Sequence, residues 1–417
     1  MELKEFFLDE DIKKQLGYII RETRKMNFNE CKNTTLIEHN PYTKENFCEN
    51  NCICHYHTLT KLENDVIKED AIYHTLLKKL DIYYQVNQKE HEAHMKFIDE
   101  IIEKVLHASE YIDDDLILNI KKEIMHVYFH NDIIAEMYIF LIKLIIKLHL
   151  IENVDFESIM KLEKFIDFYN GVTKGLVNQC LGIYYLNKLE TEKAKKYFID
   201  AKEIYQEFNV DKGLISPYLI AVYVHTNDYY HSVPLCTEME VYYKNTNNYK
   251  RLMHVYNYLS EYYFLINAHT VAKDYFDKAI KIIDNDETLE RFKYPLFYNW
   301  AFRCFKDNLY IEALEDFITA YHHCKINSNK LQTINMILII MTKLKYNSDQ
   351  IEEFYNEGKK YIEYSNEANK NIFKYFRFKI EKNRYYRKFA YEKIIPKLTD
   401  DRSKNEILLF FYEDLYK

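Results

Sequence analysis

Seven potential metal ligands crowd into one short stretch. Cys48, Cys52, Cys54, His55 and His57 lie within ten residues, and Cys31 and His39 precede them. Thiolates and imidazoles hold zinc when about four of them converge in a tetrahedron. Cys48 and Cys52 stand four apart and share a face if that segment is helical. Their spacing matches no zinc pattern, so packing or incidental thiols are the expectation and no metal is assigned. A second cluster, His91-Glu92-Ala93-His94, is one residue short of the H-E-x-x-H of zinc peptidases. The sequence contains no G-x-G-x-x-G, no G-x-x-x-x-G-K-[ST] and no G-x-S-x-G, and nothing singles out a carboxylate pair among 65 acidic residues. The expected chemistry is recognition without a cofactor, not catalysis.

The residues suited to recognition near the N-terminus are polar and basic. Imidazole and hydroxyl groups at His55, Tyr56, His57, Thr58 and Thr60 can read base edges, and Lys61, Arg21, Arg24 and Lys25 can contact phosphate. The elements that carry them follow from the apolar spacing. Ile12, Leu16, Ile19 and Ile20 predict a helix over 12–25. Residues 26–42 read as a loop, 43–52 as a short helix capped by Thr43, and 70–80 as another helix. Leu59 and Leu62, three apart, turn inward, which leaves the polar residues around them outside.

This head resembles a helix-turn-helix domain of the Xre type. The first-helix pattern stands here as Leu16, Gly17, Ile20, Arg21, Arg24 and Lys25. The recognition-helix run of pheromone regulators of the PlcR and Rgg kind is matched without a gap by Ile53, Cys54, Leu59, Thr60, Lys61, Leu62, Glu63 and Asn64, and Leu80 and Ile82 fit the end of the following helix. The resemblance implies that the start of the second helix enters the major groove. Two departures stand out. The segment between Lys25 and Ile53 is longer than usual, and residues 1–82 hold 12 Lys and Arg against 15 Asp and Glu, a balance of −3. Affinity for DNA ordinarily comes from an excess of base over acid.

Beyond residue 170 the sequence repeats. Leu181, Gly182 and Tyr185 precede Ala194, Phe198 and Ala201; Leu259, Ser260 and Tyr263 precede Ala272, Phe276 and Ala279; Trp300 and Ala301 precede Ala313, Phe317 and Ala320. Weaker copies centre on Leu219, Tyr223 and Ser232, and on Leu338, Ile351 and Gly358. Each copy resembles a tetratricopeptide repeat, in which small residues let two antiparallel helices approach and an aromatic ring fills the gap to the next repeat. The anchors Ala194, Ser232, Ala272, Ala313 and Ile351 recur at 38 to 41 residues, longer than the usual 34. Such arrays build right-handed superhelices with a concave face lined by first helices. Aligning the copies puts Asn178, Gln179, Ile183, Tyr218, His225, Asn257, Tyr258, Glu261, Tyr298, Asn299, Phe302 and Asn335 on that face. Amides there can donate to and accept from an extended peptide backbone.

Composition agrees with an all-α chain. Only 6 Gly and 5 Pro occur in 417 residues, too few for sheet folds that turn every ten residues or so. Net charge is −8, which does not announce a nucleic-acid binder by itself. Met1-Glu2-Leu3-Lys4-Glu5 lacks the features of a signal peptide. The greasiest stretch, 133–151, is broken by Lys143 and Lys147 and reads as a buried helix. A cytoplasmic protein with reduced thiols and no membrane partner is expected. The expected division is a helix-turn-helix head over 1–83, degenerate helical pairs over 84–170 and a repeat domain with capping helices over 171–417.

Head and repeats together resemble the Rap–Rgg–NprR–PlcR–PrgX family of Gram-positive bacteria and their phages. The resemblance implies a quorum-sensing transcription regulator, a homodimer on double-stranded DNA with an inverted repeat, switched by a short signalling peptide in the concave face. A Rap-like regulator that binds a protein partner, its head no longer used for DNA, is the alternative.

Overall fold

The computed structural model describes residues 8–32, 39–48, 53–210, 213–399 and 405–416. Among the described residues the architecture is all α-helical, and the one extended pairing is an isolated antiparallel bridge between Tyr84 and Asp132. The chain divides into two compact units, Met1–Arg251 and Leu252–Lys417.

The first unit opens with four helices, α1 (Glu10–Lys32), α2 (Lys44–Cys48), α3 (Tyr56–Asn64) and α4 (Asp70–Lys79). Leu16, Ile19, Ile20, Phe47, Leu59, Leu62, Tyr73, Leu76 and Leu77 form their shared core. Gly17 is the point where α1 crosses α3, because a Cβ there would run into the Leu62 carbonyl oxygen. Helix α1 runs to Lys32, about two turns past the end that its apolar spacing predicts. The reason lies outside the helix: buried Asn40 donates from Nδ2 to the Phe28 carbonyl at 2.9 Å and satisfies an end that would otherwise fray. Thr43 caps α2 as expected, its Oγ1 accepting from the Asn46 amide at 3.1 Å.

Helices α5 (Gln88–Tyr111), α6 (Asp114–Ile124), α7 (Ile133–His149) and α8 (Phe156–Lys164) follow. Apolar α7 is buried on most sides, with Ile134, Leu141, Ile142, Ile145 and Ile146 among its inaccessible residues. The first two helical pairs of the array complete this unit: α9 (Gly171–Asn187) with α10 (Thr191–Glu207), and α11 (Ser216–His225) with α12 (Tyr229–Asn245). Gly182 works as the repeat motif requires, since a Cβ there would meet the Phe198 ring at 2.5–2.9 Å. Ala194, Phe198 and Ala201 are fully buried, and the Phe198 ring stacks on Tyr218 of the next pair at 5.2 Å.

Helix α13 (Tyr249–Leu265) carries the boundary between the units. The second unit contains the rest of it, α14 (His269–Asp284), the pair α15 (Lys293–Lys306) and α16 (Tyr310–His323), and the pair α17 (Asn327–Lys343) and α18 (Ser348–Gly358). Phe276 lies against Trp300 at 4.7 Å, and Ala272, Ala279, Ala313, Phe317 and Ala320 are buried. The unit closes with α19 (Glu367–Ile380), α20 (Tyr385–Phe389), α21 (Ile395–Thr399) and α22 (Asn405–Tyr416). Phe410 and Phe411 of α22 are buried, and Asp414 accepts from Lys379 Nζ at 2.6 Å and from the Tyr375 hydroxyl. No helix among the described residues is long and apolar enough to cross a membrane.

Candidate nucleic-acid interface and ligand face

Helix α3 begins at an N-cap, His55, whose ring accepts from the His57 amide at 3.4 Å. The His55 and His57 rings stack at 5.0 Å, and Tyr56 lies tilted against both, at 4.7 Å from His55 and 3.9 Å from His57. His55, His57 and Lys61 are exposed, and Tyr56, Thr58 and Thr60 are half-buried. Thr60 Oγ1 donates to the Tyr56 carbonyl and accepts from Lys44 Nζ at 2.8 Å, so its hydroxyl is engaged by its own domain.

The basic residues of α1 are placed differently from the outward set expected of them. Arg24 is 6% exposed; its Nε donates to Glu63 Oε1 at 2.6 Å, its Nη2 to Oε2 at 3.1 Å and its Nη1 to the Tyr42 carbonyl at 2.9 Å. All three donor positions are spent inside the head, which removes Arg24 from the surface. Arg21 lies over the Tyr18 ring at 4.4 Å and donates to Glu22 at 2.7 Å and to the Glu63 carbonyl at 3.2 Å. Lys25 is exposed and pairs with Glu22 at 2.9 Å.

Cys48 is buried and its thiol donates to the Lys44 carbonyl, while Cys31 and Cys54 are half-buried. Cys52 lies outside the described residues, and among those described no group of three or more His, Cys, Asp or Glu could hold a metal ion. His91 and His94 instead turn their Nδ1 atoms onto one buried carboxylate oxygen of Asp132, at 2.8 and 2.9 Å. Burial pushes the Asp132 carboxyl up, but the two imidazole bonds outweigh it and hold the group below its usual range.

The head is fastened to the helices behind it. Tyr18 donates its hydroxyl to the Lys164 carbonyl at 2.9 Å and meets Phe165 edge-on, and Gln15 donates to the Tyr138 hydroxyl at 3.3 Å.

The residues aligned to the first-helix face fall into two groups. In the first unit Asn178 and Gln179 are buried: Asn178 Nδ2 donates to the Lys174 carbonyl at 2.9 Å, and Gln179 Oε1 accepts from the Tyr205 hydroxyl at 2.9 Å. Ile183 is buried too, Tyr218 is half-buried beneath Arg251 at 5.4 Å, and His225 is exposed at the end of α11. In the second unit Asn299 is exposed, and Asn257, Tyr258, Glu261, Tyr298 and Phe302 are half-buried. Glu261 is paired with Arg303 at 2.6 Å, and Tyr298 accepts from Gln332 at 2.8 Å. Asn335 is buried and donates to the Asn369 carbonyl at 3.0 Å, tying α17 to α19. Gln179 and Asn335 thus hold neighbouring helices together, Asn178 is bonded within its own helix, and most of the accessible polar groups belong to α13 and α15.

No family model matches the chain, and no curated protein does. Solved structures do match. The apo form of the quorum sensor NprR from B. thuringiensis superposes with a TM-score of 0.61 at 16% identity, covering 79% of this chain and 92% of that one. The chain has the fold of that sensor. NprR in complex with its cognate peptide NprX gives 0.53 at 15% identity, covering 79% and 100%. A Rap protein complexed with Competence and Sporulation Factor gives 0.53 at 15%, covering 78% and 97%.

Proposed function

We propose that the protein is a cytoplasmic, peptide-responsive transcription regulator. It acts by binding, as a homodimer whose two heads meet the two halves of an inverted repeat in double-stranded DNA. The observation that carries this reading is the exposed start of α3, where His55, His57 and Lys61 face outward on a head built as a helix-turn-helix. The fold it shares with NprR supports a peptide as the signal, since NprR is a quorum sensor with a cognate peptide. On this reading Asn257 and Tyr258 of α13 and Asn299 and Phe302 of α15 contact the peptide, with amides serving its backbone and rings its side chains. The peptide acts by binding two conformations of the protein unequally. A tenfold population shift requires about 1.4 kcal/mol of differential affinity.

Selection of genomic fragments on the purified full chain tests the DNA arm. The expected result is enrichment of one inverted repeat, with the same repeat retained more weakly by Lys61→Ala. Failure to enrich any sequence at low salt rejects it and leaves the second reading, a regulator that binds a protein partner. That reading draws on the acidic head, where Arg24 is buried and Arg21 and Lys25 are both held by Glu22.

A further inference from the structure

The net charge of −8 hides a local excess of the opposite sign. Residues 370–397 hold ten Lys and Arg against two Asp and Glu, a balance of +8 in 28 residues. They cover most of α19, the turn after it, α20 and the start of α21, all in the second unit. Lys374, Lys382, Arg384, Arg387, Lys393 and Lys397 are exposed and have no carboxylate partner among the described residues. Arg377 pairs with Glu381 and Lys388 with Glu392, each four residues along the chain and solvent-exposed. Exposed pairs of this kind are screened and hold their charges weakly, so the surface keeps a positive potential that attracts anions.

The kind of anion follows from what lies between the cations. Helix α19 ends where Lys382 takes a left-handed conformation, with φ at 54°, and the Asn383 amide reaches back to the Phe378 carbonyl at 2.8 Å. That turn sets Lys382 and Arg384 between the end of α19 and the start of α20. The run Arg384-Tyr385-Tyr386-Arg387-Lys388 follows. Tyr385 is 42% exposed, its ring held edge-on against Phe378 at 5.5 Å, and Tyr391 is 66% exposed. Rings fixed among cations suit a single nucleic-acid strand, whose phosphates follow the charges while its bases stack on the rings. A bilayer surface calls for apolar side chains to insert, and Phe389, Ile394, Ile395 and Leu398 are buried. A duplex keeps its bases stacked on one another, whereas RNA is commonly recognised through single-stranded bases laid on aromatic rings.

We propose that the exposed surface of α19–α21 binds single-stranded RNA, with Arg384, Arg387 and Lys388 at phosphates and Tyr385 and Tyr391 beneath bases. The surface stands independently of the duplex reading of the head and of the face on α13 and α15. Its recognition is tolerant of sequence, because every base offers a ring face to stack.

Fluorescence anisotropy of a labelled oligouridylate of about 20 nucleotides, titrated with the full chain, tests the proposal. The expected result is saturable binding, weakened tenfold or more in the triple variant Arg384→Gln, Arg387→Gln, Lys388→Gln, whose circular dichroism melt is unchanged. The slope of log affinity against log salt should become shallower by about two units in that variant. Tyr385→Leu with Tyr391→Ser, which keeps an apolar group against Phe378, should weaken binding fivefold or more and leave the salt slope as it is. A random duplex of the same length separates this surface from the head, because only affinity that the triple variant removes counts. Absence of saturable oligouridylate binding, or equal binding by the triple variant, overturns the proposal. So does an undiminished affinity in the tyrosine variant, or a loss on the duplex as large as on the single strand. A loss seen only with vesicles of equal parts phosphatidylserine and phosphatidylcholine, or only with poly-L-glutamate, overturns it in favour of a membrane or an acidic protein.

Discussion

Arg24 and Glu63 are 39 residues apart in the chain and meet as a bidentate pair with almost no solvent contact. Breaking such a pair from one side strands a buried charge and costs about 3–5 kcal/mol, whereas replacing both partners with apolar groups is often neutral. Arg24→Ala should therefore unfold the head at lower urea, and Arg24→Met with Glu63→Leu should restore most of the loss. A variant that lost DNA retention with its urea midpoint unchanged would instead make Arg24 a phosphate contact. The sequence pattern shows Arg24 on a helix with basic neighbours but carries no sign of Glu63, because the pairing is set by the crossing of α1 and α3 at Gly17. The same blindness applies to Asn178, Gln179 and Asn335: their types suit peptide contact, and only the packing reveals that they are buried. His149 makes a second residue-level test. Its Nε2 lies 2.7 Å from Ser109 Oγ, and burial, reinforced by Arg251, lowers its pKa to about 4. The unfolded imidazole titrates near 6.5, so between about 6.5 and 4 the unfolded chain holds the extra proton. Stability is then intact above this window and falls as the pH drops through it, by about 2 kcal/mol between pH 7.5 and 5. Urea midpoints at the two pH values should differ by that much more in the wild type than in His149→Asn; equal differences would contradict it.

The helical pairs share a turn. The residue closing each first helix takes a left-handed conformation at Leu189, Asn227, Asn267, Asn308 and Lys345, with φ between 56° and 62°. The next amide reaches back to a carbonyl one turn up, as from Glu190 to Tyr185 and from Ala268 to Tyr263, both at 2.9 Å. Asparagine tolerates this conformation, whereas leucine pays about 1–2 kcal/mol in steric strain. Leu189 is exposed, so nothing in the core compensates. Leu189→Asn should raise the stability of the first unit by about 0.5–1 kcal/mol, read as a shift in its denaturation midpoint. No gain would mean that the Leu189 side chain makes contacts that matter. The repeats were legible because their spacing is set by sterics: Gly182, Ser260 and Ala301 hold the small-residue position of successive copies, and at Gly182 a Cβ would crowd the Phe198 ring. The extent of α1 was not, because it depends on Asn40 across an irregular segment. Nor was the clasp on the end of α5, where Arg251, Asn248 and Lys250 donate to the carbonyls of Ser109, Glu110 and Ile112. Those partners are about 140 residues apart, and the cations offset the negative end of the helix.

In the molecule as a whole, the head shares one compact unit with α5–α12 and is held there by Tyr18, Gln15 and the bridge at Tyr84 and Asp132. A head seated in this way, not hung from a linker, can register a change in the helices behind it. If the proposed DNA complex places Lys61 at a phosphate, Lys61→Ala should flatten the dependence of log affinity on log salt by about one unit while leaving base preference intact. An unchanged slope would place Lys61 away from the backbone. The central claim, that a short peptide controls DNA binding, is tested most directly by the affinity of the full chain for its selected inverted repeat, measured with and without the peptide encoded by a neighbouring short reading frame. The account predicts a change of tenfold or more, absent in Asn257→Ala with Asn299→Ala. An operator affinity that stays the same at saturating peptide would contradict it.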